Sequence, residues 1–177
     1  PEPSMTAPPR VERAAARMHA PLALLVVFLF ASSPWVAMRR SIPRDAGWLD
    51  HAHVGLGLAA LVLSLAYAWS CLHAGRWRLY LPWLAGRFDG LARDVGGLLR
   101  GRLPAAEGGG LYAALEGLLL LALLVTGLTG AGWLATAGTG DALAWREAHV
   151  LASRGVLALL VAHVVTVSLH LLDFVRN

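Results

Sequence analysis

The chain has no lysine, a single cysteine, and almost no charge within four long stretches, and each scarcity excludes a class of protein. With no second cysteine, Cys71 has no intrachain disulfide partner, and no Cys-x-x-Cys-His run is present to attach a cofactor covalently. All fifteen Lys or Arg positions are arginine, and the net charge of +4 would at first suggest nucleic acid. Those arginines sit almost wholly in tails and loops, however, so they report membrane topology instead. With 57% hydrophobic and only 15% charged residues in 177, the chain is not a soluble domain built round one core.

What is present in their place is four apolar runs long enough to span a bilayer: Pro21 to Met38, His53 to Ala74, Leu111 to Ala135, and His149 to Leu172. They predict one domain over residues 1–177, all α, an up-and-down integral membrane bundle of four helices in contact with lipid. The N-terminal tail (Arg10, Arg13, Arg17), the connection over 76–108 and Arg176 carry ten arginines, against Arg39, Arg40, Arg44 and Arg146 in the other loops. Positive-inside counting therefore puts both termini in the cytoplasm, with Arg39, Arg40 and Arg44 running against the trend. Trp35, Trp48, Trp133 and Trp145 mark one set of span ends, and Trp77, Tyr80 and Trp83 mark the other. Arg10, Arg13 and Arg17 before the first run also resemble a secretory signal cleaved near Ala31 to Ala37, but cleavage would discard His19 and the run is long enough to remain as a helix.

Pro1 to Pro9 reads as a disordered tail, with residues 1–10 outside the folded bundle, and Pro34 is expected to kink or end the first span. In the long connection, Leu84, Phe88, Leu91, Val95 and Leu98 recur at helical spacing against Arg87, Arg93, Asp94 and Arg100, which predicts a helix lying on the cytoplasmic surface. Gly86, Gly90, Gly96 and Gly97 weaken that helix, because each interior glycine costs about 1 kcal/mol.

Ionisable side chains inside a membrane are costly and mark function. His149, His163 and His170 are fourteen and then seven residues apart, so they share one helix face. Fourteen residues rise about 21 Å, which fits inside an apolar core of about 30 Å. Because neighbouring spans run antiparallel, His53 falls level with His149, and His19 falls level with His163. Each pair can close both axial positions of a haem iron, which favours electron transfer over oxygen chemistry, and any such haem is of b type. His51, about 200° round the helix from His53, and His73 lie off that seam. His170 reads as an interfacial, propionate or quinone contact, with axial ligation as the lesser reading. Gly57, one turn from His53, leaves room for a flat macrocycle or serves helix packing. Glu116 either exchanges protons with a quinone or snorkels to the interface. Arg154 either pairs with a haem propionate or faces water.

Three details carry a family resemblance: the His149 to His163 spacing, the His-Val-x-x-Gly of His53 to Gly57, and the Arg-x-His of Arg17 to His19. Together they resemble the bacterial cytochrome b561 group, which includes the haem b subunits of membrane-bound nickel-iron hydrogenase and formate dehydrogenase. The resemblance implies two haems b in the inner membrane, with His19, His53, His149 and His163 as their four axial ligands. Leu79 to Trp83 and Val125 to Gly127 look more like the dehydrogenase and hydrogenase subunits than the stand-alone oxidoreductases.

The function expected is transmembrane electron transfer between the quinone pool and a periplasmic redox protein or catalytic subunit. A stand-alone quinone oxidoreductase, working as a homodimer, is one rival. A histidine-lined metal-ion transporter is another, although Ala59 to Leu63 and Leu118 to Leu124 offer no polar group midway.

Overall fold

A computed structural model describes the backbone over residues 10–73, 75, 77–102 and 110–176, and the side chains of those lying within 17–169. Pro1 to Pro9 and the side chain of His170 therefore lie outside the described residues. Among the described residues the α-helices are α1 (Arg10–Ser32), α2 (Trp48–His73), the short α3 (Trp77–Tyr80), α4 (Asp89–Leu98), α5 (Leu111–Ala135) and α6 (Ala142–Arg176), and no strand is present.

Four of these helices are long and apolar enough to cross a membrane: α1 over its part from Arg17, α2, α5, and α6 as far as Leu169. Their most apolar windows bury only 6% to 17% of their residues inside the protein, so most of their leucine and valine surface is left for lipid. This is a multi-pass membrane protein.

Local chemistry explains where the helices begin and end. Pro34 ends the first span as expected: α1 stops at Ser32 and the chain passes into a 3-10 turn over Ser33–Trp35. The second span begins at Trp48, five residues before the apolar run, because Asp50 anchors its first turn. The buried Asp50 carboxylate accepts hydrogen bonds from the amides of Ala37 (2.9 Å) and Gly47 (3.1 Å). The last span likewise starts before its apolar run and extends over 35 residues. At 1.5 Å per residue α6 measures about 52 Å, longer than the roughly 40–45 Å of a whole bilayer.

The helix expected from Leu84 to Leu98 is interrupted. Leu84 belongs to a 3-10 turn, Pro82–Ala85, which Gly86 closes in the left-handed region (φ 65°), and α4 starts only at Asp89. Glycine adopts that conformation without the penalty a Cβ would impose.

The packing is unequal. The hairpin of α5 and α6 is the most extensively packed pair, α5 also lies on α2, and α2 lies on α1. Among the described residues α6 makes no comparable backbone approach to α1 or α2. In the hairpin, a Cβ added at Gly132 would lie 2.7 Å from the Trp145 ring, so glycine is what lets the two helices close there.

Each end of the bundle is tied. At one end, three successive carbonyls of the α1–α2 loop accept hydrogen bonds from the α5–α6 hairpin. Met38 accepts from Arg146 Nε (2.9 Å), Arg39 from Trp133 Nε1 (2.8 Å) and Arg40 from the Gly138 amide (2.7 Å). At the other end, Asp94 of α4 accepts from the Leu111 amide (2.8 Å) and so caps the start of α5 from a different helix. There α3 lies so close to α5 that a Cβ at Gly117 would overlap the Tyr80 carbonyl.

Candidate functional site

Four expected site histidines fall on three helices: His19 on α1, His53 on α2, and His149 and His163 on α6. His53 and His149 come together. Their ring centroids lie 6.4 Å apart with the planes at 84°. With a metal–nitrogen bond of about 2.0–2.1 Å and a ring radius of about 1.2 Å, two imidazoles sharing one ion hold their centroids about 6.4 Å apart.

Helix α5, which carries no histidine, fixes the His149 ring. His149 Nδ1 donates to the Thr126 carbonyl oxygen at 2.8 Å. That bond sets the tautomer and leaves Nε2 with its lone pair for an ion. Gly130 makes the carbonyl reachable: it lies one turn beyond Thr126, and a Cβ there would meet the His149 ring at 3.1 and 3.2 Å. The opposing His53 has its Nδ1 buried without a hydrogen-bond partner. Such orphaned polar atoms are rare, and an ion or a redox role is among the usual reasons for them.

Both rings line a cavity of about 370 Å³ among α1, α2, α5 and α6, within the range of cofactor sites. Val26 and Phe30 of α1 and Leu61 of α2 supply apolar wall. Gly57 lines it too, and a Cβ there would meet nothing within 4 Å, so the backbone beside His53 faces open space. Asp50, one turn before His53, is close enough to interact with it electrostatically.

At His163 only the α5–α6 half of this arrangement is seen, at the same offset. Tyr112 precedes Thr126 by fourteen residues on α5, just as His163 follows His149 by fourteen on α6. Because the two helices run antiparallel, Tyr112 therefore faces His163, with ring centroids 6.0 Å apart. His163 is half-buried with Nδ1 unpartnered, and His19 is exposed but within electrostatic reach of it. Glu116 sits one turn along α5 from Tyr112 and close to it.

The remaining candidates lie away from these two levels. His51 is exposed and donates to the Gly47 carbonyl (3.0 Å), while His73 is exposed against the Trp69 ring, with centroids 4.1 Å apart. Arg154 is exposed and does not line the cavity, whereas Arg146 does. Gly130, Tyr112 and Arg146 carry no site signal in the sequence, and Thr126 stands out there only within the Val125 to Gly127 motif, not as a partner of His149. The fourteen residues between Tyr112 and Thr126 on α5 match those between His149 and His163 on α6, but that spacing carries meaning only once the two helices are paired.

Among the described residues no three His, Cys, Asp or Glu side chains gather as ligands. A bare ion needs about four donors, so paired imidazoles suit an iron that brings four equatorial nitrogens of its own. Opposed rings, an orphaned nitrogen and an open glycine beside them all fit a flat iron macrocycle. The class so defined is a membrane haem protein built on a four-span bundle. Residues 10–173 match the family described as prokaryotic cytochrome b561, and the chain belongs to that family. Membership carries with it b-type haem and transmembrane electron transfer. No curated protein and no solved structure matches the chain significantly.

Proposed function

We propose that the chain holds two haems b at two depths, through His53 with His149 and through His19 with His163, and so carries electrons between the faces of a bacterial inner membrane. The observation that carries this reading is the 6.4 Å separation of His53 and His149, with His149 oriented by α5 so that Nε2 remains free. The matching offset of Tyr112 and His163 supports a second level about 21 Å away.

Haem b, when bound, supplies one-electron cycling of its iron. The chain supplies the rest. Its imidazoles fix the number and spacing of the sites, its apolar walls exclude water, and the low dielectric around them helps set the potentials. Moving one electron across the whole membrane works with or against about 2.3 kcal/mol per 100 mV.

In this reading both termini are cytoplasmic and α4 rests on the cytoplasmic surface, where Phe88, Val95 and Leu98 are exposed for lipid headgroups to cover. The His163 level is then the inner one, and Glu116 and Tyr112 offer proton-exchanging groups beside it for a quinone. The His149 level faces a periplasmic redox protein or catalytic subunit.

A reduced-minus-oxidised spectrum of the detergent-purified chain, with haem counted per polypeptide, tests the reading. Two haems per chain are expected. His53→Ala and His149→Ala should lose the same haem, and His19→Ala and His163→Ala the other. A colourless protein expressed with ample haem overturns the proposal, and losses that cross between the two sets overturn the pairing.

A further inference from the structure

The cavity beside His53 and His149 is lined mostly by apolar side chains, with a few hydroxyls among them, and no acidic residue lines it. Arg146 is the one permanently charged side chain in its wall, three residues before His149 on α6 and therefore one turn nearer the tied end of the bundle. Its Nε is spent on the Met38 carbonyl at 2.9 Å, which holds the side chain in place. A guanidinium has five N–H donors, so four remain on the two terminal nitrogens. Among the described residues no carboxylate forms an ion pair with it.

We propose that Arg146 holds a carboxylate of the ligand occupying this cavity, namely a propionate of the haem at the His53–His149 level. The inference rests on the two-haem reading. A carboxylate cannot sit unpaired among apolar side chains, since an ionised group in the membrane core is costly, so it must lie at the end of the cavity where charge and water are available. Arg146 is exposed there, and its fork of planar donors matches a carboxylate in a way that a single ammonium does not. Arg39, Arg40 and Arg44 also lie on the α1–α2 loop but do not line the cavity. Arg154, eight residues further along α6, stands outside it as well.

Neutralising a propionate favours the reduced haem, because the oxidised iron porphyrin carries one more positive charge and gains from an unpaired anion nearby. Redox titration of Arg146→Gln, which retains a donor for Met38, should therefore lower the potential of one of the two haems. A shift of about tenfold in the reduction equilibrium, about 59 mV for a one-electron couple, is expected. Arg146→Lys should recover most of the shift and Arg154→Gln should cause none. Reconstitution with the dimethyl ester of haem supplies the second arm. Since esterification and Arg146→Gln remove the two halves of one interaction, their effects on haem affinity should not add.

Two haems at unaltered potentials in Arg146→Gln overturn this proposal and leave the two-haem reading standing. So does a lowered potential accompanied by effects of Arg146→Gln and of the ester on haem affinity that add in full, which points instead to a lipid phosphate on Arg146. A wild-type chain that binds no haem removes the two-haem reading itself.

Discussion

Gly130 gives the sharpest test of how α5 serves the histidine pair. A methyl group at this position would lie 3.1 Å from His149 Nδ1 and 3.2 Å from Cε1. Comfortable heavy-atom contact is about 3.5–4.0 Å, so the ring must retreat by roughly 0.4 Å. That retreat stretches the 2.8 Å hydrogen bond to the Thr126 carbonyl towards the outer limit of about 3.2 Å. Loosening the partner that orients a metal-bound histidine costs about 10- to 100-fold in metal affinity. Gly130→Ala should thus weaken one haem by about tenfold, about 1.4 kcal/mol, and leave the other untouched. Gly130→Val, with two further methyls directed at the ring, should lose that haem altogether. Replacing a helical glycine with alanine also favours the helix by about 1 kcal/mol, so the apoprotein should melt no lower while haem binding falls. Opposite signs for stability and affinity separate damage to the site from damage to the fold. Haem titration followed by the Soret band, with thermal unfolding of the apoprotein alongside, reads both. Wild-type affinity for two haems in Gly130→Val refutes the reasoning.

Three further substitutions probe the frame. Gly117→Val forces a side chain into the Tyr80 carbonyl and should destabilise the α3–α5 contact by about 1–3 kcal/mol in thermal unfolding, with the haem spectrum retained in the folded fraction. Asp94→Ala removes the acceptor for the Leu111 amide and should cost about 1 kcal/mol by the same measurement, Asp94→Asn less. Trp133→Phe leaves the Arg39 carbonyl without its indole donor, and limited proteolysis should then cut the α1–α2 loop faster than in the wild type.

The four spans and the histidine register could be read from the sequence because both are properties of single helices. Apolar length shows a span, and a fourteen-residue spacing places His149 and His163 on one face whatever packs against it. Pro34 ended the first span for an equally local reason. Features that depend on a second helix could not be read in that way. Thr126 matters only because α6 brings His149 to its carbonyl, and Gly130 only because the ring arrives there. Asp50 made α2 start before its apolar run by binding Ala37, thirteen residues back. Arg154 was open to two readings, a propionate partner or a residue facing water; it stands exposed outside the cavity, and that Arg146 lines the cavity instead depends on how α6 packs against its neighbours. The helix expected from Leu84 broke at Gly86, where periodicity continued but the backbone turned left-handed.

The sparse backbone contact of α6 with α1 and α2, which it meets mainly through side chains such as Leu160 and His149, bears on how such a protein is made. With α1 and α2 as one hairpin and α5 and α6 as another, the two are hinged where α2 meets α5 and laced by the three loop carbonyls at residues 38–40. The cavity between them is lined by all four spans, so a prosthetic group filling it acts as mortar as well as a wire. A chain inserted under haem starvation lacks that filling, and its two hairpins are then held together chiefly by the α2–α5 packing and the three loop carbonyls.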